Sequence, residues 1–80
     1  MRTVRHRKEK VENMEIEYML LEHRYMGRQA FSIVCRSGSE SETLFDVTSE
    51  RDRALELFDA FVKGGVTPYA AREQMEELLS

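Results

Sequence analysis

The sequence predicts a two-layer α+β domain, a three-stranded antiparallel meander followed by two helices packed on one face (βββαα). Three observations predict it. Apolar residues alternate with period two in three short stretches between Met14 and Val47. The connections between those stretches are too short for a parallel crossover. The stretch Thr48–Leu79, TSERDRALELFDAFVKGGVTPYAAREQMEELL, carries the clearest helix start and stop signals in the chain.

Residues 1–13, MRTVRHRKEKVEN, carry charge without apolar periodicity and read as a flexible basic N-terminal arm, leaving residues 14–80 as a single α+β domain. In Met14–Glu22 the side chains of Met14, Ile16, Tyr18 and Leu20 fall on one face and Glu15 and Glu17 on the other. Met19 and Leu21 then make the second face apolar as well. His23–Arg28, with Gly27 able to take positive φ, supplies a turn. Gln29–Arg36 places Phe31, Ile33 and Cys35 on one face and Ala30, Ser32 and Val34 on the other. Ser37–Ser41 is a loop, and Glu42–Val47 is a third strand with Phe45 and Val47 facing the helices and Leu44 facing away.

Ser49 is a suitable N-cap for the first helix, with Glu50 and Asp52 at its positive end. Ala54, Leu55, Leu57, Phe58, Phe61 and Val62 form its apolar face, and Lys63 with Gly64-Gly65 ends it. Thr67 as N-cap and Pro68 at the first helical position open the second helix, whose stripe is Ala71, Met75, Leu78 and Leu79.

Charge is divided unevenly. Residues 1–10 hold five Lys and Arg against one Glu, and the rest hold seven against fourteen acids, so basic character is confined to the beginning of the chain. The single cysteine, Cys35, excludes an intrachain disulfide and suits a reducing cytoplasm. No apolar h-region follows the basic start, and no apolar run reaches the roughly 18 residues of a membrane span.

No stretch carries a catalytic, metal or cofactor signature. His6, His23 and Cys35 match no zinc spacing. Gly64-Gly65 lacks the Lys-Ser/Thr of a phosphate loop, and Ser32, Ser37, Ser39 and Ser41 sit in no nucleophile elbow. His23 reads as a solvated turn residue and Cys35 as a small sheet or core residue. The GGVTPYAAREQM corner resembles the turn of a helix-turn-helix, but Glu73, Glu76 and Glu77 on its second helix would repel phosphate. A nucleic-acid-associated regulator would therefore need Arg2, Arg5, Arg7, Lys8 and Lys10 of the arm for its phosphate contacts.

The informative feature is the second apolar face. With the helices covering Ile16, Tyr18, Leu20, Phe31, Ile33, Phe45 and Val47, the residues Met19, Leu21, Ala30, Val34 and Leu44 are left on the opposite side. A patch of that kind marks a partner site. The expectation is a non-enzymatic interaction or regulatory module, cytoplasmic, forming a homodimer or holding another protein through the sheet, with no cofactor and no small-molecule ligand.

As a whole, YMLLEHRYMGRQAFSIVCR followed by LFDVTSERDRALELFDAFVKGGVTPYAAREQMEELL resembles a family of small uncharacterised bacterial domains of unknown function. The shared features are Tyr18, Tyr25 with Gly27, Asp46-Val47, and Thr67-Pro68 with Glu76 and Glu77, although Met26 separates Tyr25 from Gly27 and Ala70-Ala71 replaces a bulkier pair. The resemblance implies the element order given above and brings no activity or catalytic residue.

Overall fold

Four strands, not three, build the sheet. In the computed structural model, which describes residues 1–80, β1 (Arg2–Val11), β2 (Met14–Tyr25), β3 (Arg28–Ser37) and β4 (Glu40–Thr48) form one antiparallel meander in the order β1-β2-β3-β4. Two helices, α1 (Arg51–Lys63) and α2 (Ala71–Leu79), follow. The α+β layering and the packing of both helices on one sheet face agree with expectation; the strand count does not. The stretch expected as a basic arm is β1, paired with β2 from Arg2↔Glu22 to Val11↔Met14. Its sequence concealed it because an edge strand lying beyond the helices needs no alternating apolar face. Only Val4 and Val11 pack against the core. The other side chains face water, and the charge they carry discourages an edge from pairing indiscriminately.

The strands also run farther than the apolar pattern suggests. Met26 (φ 55°) and Gly27 (φ 77°) alone make the β2–β3 turn, both left-handed as a type I′ hairpin demands. His23, Arg24 and Tyr25 therefore belong to β2, paired with Ala30, Gln29 and Arg28.

Opposite residues of an antiparallel pair share a face. Ile16, Tyr18 and Leu20 of β2 and Phe31, Ile33 and Cys35 of β3 are fully buried beneath Ala54, Leu57, Phe58 and Phe61 of α1 and Ala71 and Met75 of α2. On β4 the expected faces are exchanged. Leu44 pairs with Ile33 and lies in the core at 5% exposure, whereas Phe45 is 71% exposed. The reason is a bulge: Ile33 pairs with Leu44 but Phe31 with Thr48, so Phe45, Asp46 and Val47 stand opposite Ser32 alone. Asp46 takes φ 51° within it, and Val47 still packs against the core.

The helix termini correspond to the signals in part. The N-cap of α1 is Glu50 rather than Ser49, and no side chain caps it. At the other end Gly65 (φ 60°) donates to the carbonyl of Val62 and Val66 to that of Phe61, a Schellman closure with Val66 folded back onto the core. Thr67 does accept the N–H of Ala70 through Oγ1 (3.3 Å), but this closes a turn at Pro68–Ala70, and α2 begins at Ala71. Leu79, expected on the buried stripe, is exposed. No helix is long and apolar enough to cross a membrane.

Candidate functional site

The side of the sheet away from the helices carries most of the residues expected at an interface. Reading across the ladders, His6, Met19, Val34 and Thr43 form one row, and Lys8, Glu17, Arg36 and Ser41 the next. Thr3, Leu21 and Ser32 form a third, and His23 pairs with Ala30 beyond it. Of the five predicted residues, Met19, Leu21 and Ala30 are on this face and half-buried. Val34 is there too, but its neighbours leave it only 8% exposed, and Leu44 is on the helix side as part of the core. The uncovered apolar centre is therefore smaller than the sequence implied, with Met19 and Leu21 as its accessible members.

Charged groups border that centre. Glu17 accepts from Arg36 and meets His6, whose Nε2 is 2.5 Å from its carboxylate. The Arg36 guanidinium and then the His6 ring hold the Glu17 carboxyl below the usual carboxylate range. Lys8 and Lys10, on the same side, have no carboxylate partner.

At the other end His23, expected in solvent, is part-buried and meets the buried Ser32 and the exposed Asp46. Its Nε2 is 3.1 Å from Ser32 Oγ and 3.0 Å from Asp46 Oδ1, and the Asp46 N–H donates to the same Ser32 Oγ at 3.1 Å. Ser, His and Asp are thus brought together without a catalytic relay. A relay divides the two ring nitrogens between nucleophile and orienting acid, whereas here one nitrogen serves both. Ser32 is 1% exposed, and its oxygen replaces the ladder partner that Asp46 lost in the bulge. An open cleft of about 630 Å³ beside His23 is lined by Met1, Arg2, Glu22, Arg24 and Gln29. In it Arg2 and Gln29 both donate to Glu22. Partial burial works to raise the Glu22 pKa, but Arg2, Gln29 and Arg51 together bring it below the ordinary value.

Beneath the sheet, Tyr18 and Cys35 are opposite one another and both donate to the Val66 carbonyl, at 2.8 Å and 3.3 Å. Burial pushes the Tyr18 phenol up to about 12 and the Cys35 thiol up to about 11. A thiol so raised is a poor nucleophile at neutral pH and serves as a hydrogen-bond donor. His6, on the far side of the sheet, does not share a site with it, and no group of three potential ligands is gathered anywhere that could hold a metal.

The basic residues are spread along β1. Arg2 is held by Glu22 and Arg7 by Glu9 at 2.9 Å, while Arg5 donates only to the Val4 carbonyl. On α2, Arg72 reaches back to Glu42 of β4 at 2.7 Å, leaving Glu73, Glu76 and Glu77 as its exposed charges. One apolar surface escaped the sequence reading: an open groove of about 210 Å³ where Phe45 and Leu79 flank Leu44, Val47 and Met75. No periodic signal could have found it, since it arises from the bulge. Comparison of the chain with protein families, with curated proteins and with solved structures finds no match in any of the three.

Proposed function

We propose that the protein is a non-enzymatic interaction module that self-associates, two copies meeting across the sheet face opposite the helices. One observation supports the reading: Met19 and Leu21 stand half-exposed on the sheet face opposite the helices, outside the core. Lys8 and Lys10 beside Glu15 and Glu17 give that face both signs of charge, as a surface that must complement itself requires. Four strands about 4.8 Å apart, paired over roughly seven residues, make a face near 19 by 24 Å. That falls short of the ~800 Å² each partner contributes to a standard interface, so a weak, transient dimer is expected. The free thiol suits a reducing compartment such as the cytoplasm.

Sedimentation equilibrium from about 1 μM to 1 mM, a range that reaches weak dimers, tests the reading. The expected result is a monomer–dimer equilibrium abolished by Leu21→Glu, with the circular dichroism spectrum unchanged. A monomer throughout that range would overturn it.

A further inference from the structure

We propose that the free edge of β1 takes an acidic extended peptide from another protein as a fifth strand, at an edge that adjoins the face proposed for self-association and shares Lys8 and Lys10 with it. The strand is irregular between Thr3 and Arg5, then runs without interruption from Arg5 to Val11. Its sheet has β2 on one side only, so about half of its backbone donors and acceptors face outward, as at any edge. Its cations point both ways. Arg5 and Arg7 lie opposite Leu20 and Tyr18 on the helix side, Lys8 and Lys10 opposite Glu17 and Glu15 on the other. An added strand with acids at alternating or successive positions would find a cation on whichever face it turned, and each cross-strand pair of opposite charge contributes about 0.2–1 kcal/mol.

The same features decide the occupant. A second β1 would set like charges opposite one another. The β4 edge of another copy is regular only over Glu40–Leu44 before its bulge, and its Glu42 already engages Arg72. A nucleic-acid backbone could use the cations but has no amides for the ladder groups, and Glu9, Glu15 and Glu17 disfavour any anion that relies on charge alone. A peptide carrying carboxylates and its own amides matches both properties of the edge.

The test uses the full chain in the Leu21→Glu background, where the proposed dimer is absent, and a fluorescent octapeptide of alternating Glu and Val, read by anisotropy and by amide exchange along β1. Binding should tighten about ten-fold when salt falls from about 150 to 20 mM. It should slow exchange between Arg5 and Val11 and weaken about ten-fold in Lys8→Glu/Lys10→Glu. Should that variant melt early, Lys8→Gln/Lys10→Gln gives the same comparison with a smaller change of charge. A peptide of identical charge, N-methylated at successive residues so that both of its edges lose their donors, should not bind. Equal binding of the methylated peptide, tighter binding of a short duplex DNA through the same lysines, or no binding at low salt would each overturn the proposal.

Discussion

The Val66 carbonyl is where the loop between the helices is fastened to the sheet, and its two lone pairs are answered by the Tyr18 hydroxyl and the Cys35 thiol. Tyr18→Phe removes the stronger donor while keeping the ring, and should cost about 1–2 kcal/mol, read as a lower urea midpoint with an unchanged slope. The pair also sets an alkaline limit. Both groups are protonated in the fold beyond the pH at which the unfolded chain releases its protons, so their contribution is complete below about pH 9 and falls as pH rises. Stability should decline between pH 9 and 11 through Cys35, ordinarily 9.0 and here about 11, and further toward 12 through Tyr18. Each accounts for on the order of 2–3 kcal/mol. Urea titrations at stepped pH check this, and Cys35→Ala should shift the onset of the decline from about 9 to about 10, where Tyr18 ordinarily titrates. Across the sheet, Ser32→Ala should cost about 0.5–1.5 kcal/mol, because the Asp46 N–H and the His23 ring both lose the Ser32 hydroxyl at a part-buried site.

Among the elements, the β2–β3 hairpin holds a correctable fault. Met26 adopts φ 55° with its side chain in solvent, so it bears left-handed strain and gains no packing in return. Met26→Asn should raise the melting temperature by a few degrees, since Asn accepts that conformation at the first position of a type I′ turn. Gly65→Ala should do the reverse: φ is 60° and a Cβ would stand 3.2 Å from Val11 Cγ2, so a loss above about 1 kcal/mol is expected. The contrast shows which parts of each element were legible in the sequence. Gly27 and Gly64-Gly65 marked their turns correctly because φ preference is a local property. The alternation of β2 and β3 placed the core face correctly because both strands lie under helices for much of their length. The exchange of Leu44 and Phe45 was illegible, since a residue pattern read along one strand contains no trace of how many residues its partner sets against Ser32. His23 was missed for the same reason: its partners Ser32 and Asp46 are brought to it by strand pairing and by the bulge.

For the molecule as a whole, the question is whether residues 1–11 are an appendage or part of the fold. Their composition favours an appendage, because the only apolar side chains in RTVRHRKEKV are Val4 and Val11. The structure makes them the fourth strand, and the charges that disguised β1 are what an exposed edge requires. Deleting residues 1–11 separates the two descriptions. An appendage would leave thermal stability unchanged. Removal of β1 uncovers the β2 edge along its apolar run Tyr18–Leu21, strips the Arg2 partner from Glu22, and takes Val4 and Val11 from the core rim. Burial of two valines in part is worth about 1 kcal/mol each, before the lost ladder is counted. At about 4–8 °C per kcal/mol for a domain of this size, the melting temperature should fall by at least about 8 °C. The newly exposed edge should also make the truncated chain aggregate at concentrations where the full chain stays dispersed, because an unpaired apolar strand recruits another like itself. Light scattering after size-exclusion chromatography, with the melt recorded on the same fractions, reads both effects; a truncated protein that melts with the full chain and stays dispersed would return these residues to the status of a tail.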